Sequence, residues 1–346
     1  MAMSLAFAIM DSPEKNILNS DFISYYYGLW RISEPIDMGG ATENALRNFK
    51  IKEYKLLDNN YNYFNKVRGK IINDNYETLA NGFLMRKSVF YVWIFYRYNQ
   101  KIKTAFENAK NDNLEDLYNL FLIIKDLSKI DDECTHPNPE CSSATAYITL
   151  ITLGFLCNIE PYQIINYIIN MITFIINDKN TIEIDINLGK FIQEYIDKFS
   201  NRRFDFWDFF TSKDDNVYDN MGWYKHSLRL ILYFVINFGK LEREEEKKDI
   251  FRYIVDNICN IGGDTDTNAA IVGGVIGPLI GYKNFQVELD VMLKKGRKVY
   301  YPIFMMLYLD FLIKSNKKRS AYNKKNFIKM IVTIMYGKID ENKLFI

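Results

Sequence analysis

Turn-forming residues are scarce in this chain. Its 17 Gly and 7 Pro make up about 7% of 346 residues, where roughly 12% is usual. A chain with so few reversal points cannot be assembled from many short hairpins, so it must run in long segments, and helices meet that condition. Leu188, Phe191, Ile192, Tyr195, Ile196 and Phe199 recur at the three-and-four spacing of one buried helical face. Ile250, Phe251, Ile254, Val255 and Ile258 do the same, and that helix is expected to end at Ile261-Gly262-Gly263, where two glycines permit a turn that side chains would obstruct. The expected class is all-α. An apolar content of 48%, with 25 Tyr and 25 Phe, supplies the material for a packed core and excludes disorder of the whole chain.

The charge balance narrows the choice of partner. Lys and Arg number 44 against 43 Asp and Glu, for a net charge of +1. Such a chain has no global field to attract DNA or RNA. The four cysteines, Cys134, Cys141, Cys157 and Cys259, are too few for a disulfide framework, and two of them sit in apolar runs. This points to a reducing, cytoplasmic setting. The first ten residues are apolar but carry no basic region before them and no cleavage site after them, so they are expected to form a buried helix. The apolar runs 146–157 and 303–312 are too short or too interrupted for a bilayer, which takes about 20 residues per helix.

Stretches mixing Pro, Gly, Asn, Asp and Ser mark expected loops at 34–40, 131–140 and 211–222. No linker, composition change or repeat divides the chain. The charged run 242–249 reads as the solvated opening of the helix that carries Ile250. Seven Lys and Arg between Lys314 and Lys329 read as a hydrated surface segment, with phosphate binding as the alternative.

The stretch most informative about chemistry is Gly262-Gly263-Asp264-Thr265-Asp266-Thr267-Asn268, which continues into a helix with glycines at 273, 274 and 277. Two carboxylates one residue apart, after a glycine turn and at a helix start, place hard oxygen ligands on a short rigid loop. Mg²⁺ or Ca²⁺ favours such oxygens. Thr267 adds a hydroxyl, and the partly positive helix start suits an anion. The alternative is structural: Asp264 or Asp266 caps the helix.

The run from Gly262 to Tyr282 resembles the C-terminal signature of the ADP-ribosylglycohydrolase family. Three further segments are similar to that family's pattern and fall in its order. They are Leu5 to Ser12, with Met10 where the family has glycine; Thr135-His136-Pro137-Asn138-Pro139 with the helix from Ala144 to Leu156; and Gly222 to Leu228 with its apolar continuation to Val235. The resemblance spans about residues 5–285 and implies a single compact domain of orthogonal helices covering 1–346, with unmatched helices over 290–346. It further implies that Asp264, Asp266 and Thr267 hold Mg²⁺, with the two aspartates catalytic. On the same ground Thr42, His136, Gly263 and Asn268 are expected to contact the ADP-ribose of a modified protein or small molecule. A histidine bonded only to backbone is the bland alternative for His136.

One departure stands out. The family's other metal ligands come from a Thr-Asp-Asp-Thr segment opening a helix. Here the corresponding stretch is Asp37-Met38-Gly39-Gly40-Ala41-Thr42-Glu43-Asn44-Ala45-Leu46. With Thr42 and Leu46 setting the register, the two aspartates become Gly40 and Ala41, which offer no side-chain ligand. One bound ion is therefore expected rather than two, with Asp37 and Glu43 as candidate replacements. Zinc at Cys134, His136 and Cys141 fits no common spacing. The aromatic run 203–210 reads as core, with adenine stacking as the alternative. With two histidines and no Gly-x-Ser-x-Gly segment, a serine hydrolase is unsupported. Two readings follow: a Mg²⁺-assisted hydrolase of ADP-ribose glycosidic bonds, or a pseudoenzyme that binds ADP-ribose without cleaving it or serves as a scaffold.

Overall fold

The computed structural model describes residues 1–12, 17–32, 35, 37–47, 49, 63–178, 181–201, 205–244, 247–281 and 284. Residues 1–284 form one compact unit and 285–346 a second. The expected domain ran over 1–346, and the described residues of that range all belong to the first unit. The helices expected beyond residue 290 and the basic segment 314–329 lie outside the described residues.

Among the described residues there are fourteen α-helices and no strand beyond one isolated bridge. They are α1 (Ala2–Asp11), α2 (Ser20–Ile32), α3 (Gly40–Leu46), α4 (Tyr63–Asn75), α5 (Lys87–Arg97), α6 (Asn99–Ala109), α7 (Glu115–Asp132), α8 (Pro139–Leu156), α9 (Pro161–Asn177), α10 (Glu183–Asn201), α11 (Phe206–Phe210), α12 (Tyr224–Glu244), α13 (Lys247–Ile261) and α14 (Thr265–Ile280). A 3-10 segment, Asn81–Arg86, leads into α5.

The central element is α8. Pro139 opens it, the Asn138 side chain accepts the Glu140 amide at 2.9 Å, and every residue from Cys141 to Phe155 is buried. A helix apolar all round needs cover on all sides. Here α5, α7, α9, α10 and α14 supply it. The expected N-terminal helix is present as α1, with Leu5, Ala6, Ala8 and Ile9 buried against α2 and α5. In α10, Leu188, Ile192, Tyr195, Ile196 and Phe199 are buried, and in α13 so are Ile250, Ile254 and Ile258.

Three expectations need adjustment. The 131–140 loop is shorter than its composition suggests, because α7 continues through Asp132 and α8 starts at Pro139. Glu242 to Glu244 close α12 instead of opening the next helix, which starts at Lys247. Residues 203–204 lie outside the described residues, but Phe206, Phe209 and Phe210 are buried, as a core reading requires, while Trp207 is exposed.

Candidate active site

The Gly262-Gly263 turn is needed where it stands. Both residues have positive φ, +83° and +72°, and a Cβ on Gly263 would lie 2.7 Å from the Val217 carbonyl oxygen. Only glycine fits that backbone and that gap. The turn delivers Asp264 to the N-cap position of α14, where its carbonyl accepts the Asn268 amide at 2.9 Å.

The Asp264 carboxylate does not cap the helix: no side-chain cap hydrogen bond is made. Its Oδ2 instead accepts from Asn81 Nδ2 at 2.9 Å. Burial raises the pKa of this half-buried carboxyl; the Asn81 amide and the Thr267 hydroxyl oppose the rise, and the adjacent Asp266 carboxylate adds to it. The two carboxylates and the threonine hydroxyl thus gather at one point, with Asp266 exposed and Thr267 buried.

Asn81 and Gly82 are the residues that sequence reasoning missed. The Asn81 amide donates to the Gly222 carbonyl at 2.7 Å, and the Tyr224 amide donates to the Leu79 carbonyl at 3.0 Å. These bonds fasten the 79–81 backbone to the segment before α12. One residue on, a Cβ at Gly82 would stand 3.3 Å from His136 Cε1, 3.5 Å from His136 Nε2 and 3.5 Å from Thr42 Oγ1. Dipeptide 81–82 is therefore a meeting point, with Asp264 on one side and Thr42 and His136 on the other. An Asn-Gly pair directly before an apolar run was the available signal, but on its own it reads as an ordinary turn.

His136 is not a backbone-bonded loop histidine. Its Nδ1 pairs with the Thr135 hydroxyl at 2.8 Å, and its Nε2 is buried without a protein partner. Burial first, and then the Arg86 charge, lowers its pKa to about 3, so the ring is neutral. Beneath it lies a fully buried charge cluster. Arg86 Nε reaches Asp131 at 3.1 Å and its Nη2 donates to Thr135 Oγ1 at 2.9 Å; Lys87 Nζ meets Asp131 at 2.5 Å and Asp132 at 2.7 Å. Tyr27 Oη also donates to Asp131. Burial alone would raise the Asp131 pKa, but the Arg86 and Lys87 charges outweigh it and hold the carboxyl at about 2. Two cations against two carboxylates leave the cluster balanced, which is what makes its burial tolerable.

In the N-terminal segment α3 starts at Gly40, and Thr42 and Leu46 are both buried. Nothing lies within 4 Å of a Cβ built at Gly39 or Gly40. The candidate replacement carboxylates are engaged elsewhere. Glu43 Oε1 pairs with Arg31 Nη2 at 2.8 Å, and the exposed Asp37 accepts the Met38 amide through Oδ1 at 2.8 Å. Among the described residues no group of three or more His, Cys, Asp or Glu is placed to hold a metal. Asp264, Asp266 and Thr267 offer hard oxygen donors of the kind Mg²⁺ or Ca²⁺ favours.

Of the remaining expected contacts, Asn268 is buried and its Oδ1 accepts from Ser227 Oγ at 2.6 Å, which ties α14 to α12. Gly263 contributes through its backbone turn. All four cysteines are free thiols. Among the described residues no helix is long and apolar enough to cross a membrane.

No curated protein and no solved structure gives a significant match. The family model described as ADP-ribosylglycohydrolase matches residues 1–300, from α1 past the end of α14. With most of its length covered, the chain belongs to the ADP-ribosylglycohydrolase family.

Proposed function

We propose that this protein hydrolyses the glycosidic bond between ADP-ribose and a protein side chain or small acceptor, assisted by a single Mg²⁺. The observation that carries this reading is the convergence at 81–82: Asp264 is held by Asn81, while Thr42 and His136 pack against Gly82. Asp264, Asp266 and Thr267 would hold the cation, which when bound supplies positive charge to fix the distal ribose and orient water. The chain's own groups do the rest. In the hydrolysis, a water oxygen bonds to the anomeric carbon as the bond to the acceptor breaks. One water proton passes to a carboxylate of the Asp264–Asp266 pair and is handed on from there to the departing acceptor, so that no proton is left over. The neutral His136 ring, with Nε2 unpaired, and the Thr42 hydroxyl offer hydrogen bonds to the sugar.

A second reading has its own support. The open positions at Gly39 and Gly40, with Glu43 and Asp37 engaged elsewhere, leave the N-terminal half of the site without carboxylates. A protein that binds ADP-ribose without cleaving it would have this arrangement.

Release of ADP-ribose from ADP-ribosylated arginine and serine substrates, with Mg²⁺ or EDTA, separates the two. Mg²⁺-dependent release that is lost in Asp266→Ala supports the hydrolase. No release from a protein that still binds ADP-ribose refutes it. In that case the double variant Gly40→Asp/Ala41→Asp, which puts two carboxylates at a helix start, the one at position 40 in open space, is expected to bind Mg²⁺ about tenfold more tightly.

A further inference from the structure

The segment between α11 and α12 forms one wall of the candidate site, and the chain fastens it at several points. Val217 is fully buried, its amide donates to the Phe210 carbonyl at 3.0 Å, and its own carbonyl lies under Gly263. Tyr218 Oη lies against Gly262. The Gly222 carbonyl takes the Asn81 amide at 2.7 Å. A buried polar chain runs behind this wall. Asp215 accepts from both Tyr195 Oη and Arg229 Nη1; Arg229 Nη2 donates to His226 Nδ1; and His226 Nε2 donates to the Asp219 carbonyl at 2.7 Å.

The direction of these bonds is fixed by chemistry. A guanidinium only donates, so His226 Nδ1 must accept and its hydrogen must sit on Nε2, where it holds the Asp219 carbonyl. Both side chains are 2% exposed. A residue of this kind on the inner face of α12 has no need to be polar for packing; an apolar side chain would fill the space at less cost. What the histidine and arginine supply is directed attachment of the 215–222 backbone, and that backbone in turn sets Gly262, Gly263 and Asn81, the three residues that aim Asp264.

We propose that His226 and Arg229 are positioning residues for the Asp264–Asp266 site, acting through the backbone of 215–222 and not by touching substrate. The role in metal binding rests on the reading under Proposed function; the mechanical link to Gly262-Gly263 does not.

The test uses amide hydrogen exchange on the full chain in wild type, His226→Phe and His226→Gln, following peptides that cover 215–223 and 261–268, alongside titration with Mg²⁺ alone. The phenylalanine fills the space without either hydrogen bond, while the glutamine can still accept from Arg229 and donate to Asp219. Exchange is expected to be about tenfold faster in both peptides of His226→Phe and near wild type in His226→Gln. The Mg²⁺ concentration for half-saturation should rise in the same order. Faster exchange confined to 215–223, or equal behaviour of the two variants, would overturn the proposal. If wild type binds no Mg²⁺, the metal reading falls while the exchange data still decide the link. Should His226→Phe fail to fold, Arg229→Lys, which keeps a charge for Asp215 but loses the bond to His226, takes its place.

Discussion

Two adjacent glycines offer a test in which distance alone gives the wrong answer. A Cβ on Gly262 would come within 2.1 Å of Tyr218 Oη, and one on Gly263 within 2.7 Å of the Val217 carbonyl oxygen. By distance, Gly262→Ala is the worse substitution. The obstacles differ in kind, however. Tyr218 is 52% exposed and its ring can swing into solvent, whereas the Val217 carbonyl is main chain, on a buried residue held by the Phe210 carbonyl. Both variants pay for an L-residue at positive φ, about 1–2 kcal/mol. Gly263→Ala adds a displaced backbone, an overpacking term of about 1–3 kcal/mol, for a total of about 2–5 kcal/mol. Gly262→Ala stays near 1–2 kcal/mol. Urea denaturation followed by far-ultraviolet circular dichroism measures both. The reasoning is refuted if Gly262→Ala costs as much as Gly263→Ala, or if Tyr218→Ala rescues the 262 variant by more than about 1 kcal/mol.

Three further outcomes are expected. Asn81→Ala removes a hydrogen bond to a carboxylate and should destabilise by about 1.5–3 kcal/mol in denaturation, while weakening any Mg²⁺-dependent thermal shift. Asp131→Asn leaves Arg86 and Lys87 buried against a reduced counter-charge and should cost about 3–5 kcal/mol, with the loss appearing as a lowered urea midpoint. His226 is held neutral in the fold, its pKa lowered from 6.5 to about 4 by burial and the Arg229 charge against the opposing Asp219 hydrogen bond, so the unfolded chain binds the extra proton first as pH falls. Wild type should therefore lose stability relative to His226→Gln between those two values, with a slope of at most about 1.4 kcal/mol per pH unit. A stability difference that stays constant over that range would contradict it.

The sequence made the helices legible where one face had to be apolar and the other did not, as in α10 and α13. It made the carboxylate end of the candidate site legible because Asp264, Asp266 and Thr267 are neighbours along the chain and their oxygen chemistry needs no folding to be recognised. Asn81 and Gly82 stayed hidden because their role depends on residues far away in sequence. An Asn-Gly pair looks like any turn until Gly222, His136 and Thr42 are brought against it. Arg86 and Lys87 also gave no warning, since a basic pair in an apolar stretch becomes a buried cluster only when Asp131 and Asp132 arrive from α7. The ends of charged helices were misplaced for a related reason: Glu242 to Glu244 carry no periodic signal that separates the close of one helix from the opening of the next.

The bond from Asn81 to Asp264 joins residues 183 positions apart. Loop closure of that length has to be completed before the contact returns any free energy, so this pairing belongs to the late, slow part of assembly. On the ribosome, a nascent chain carrying α1 through α13 would already hold Thr42, Gly82 and His136 while still lacking the carboxylates that α14 brings. α14 is the last of the described helices to leave the ribosome, so the contact between Asn81 and Asp264, and with it the candidate site, is completed only after every other described helix has been made.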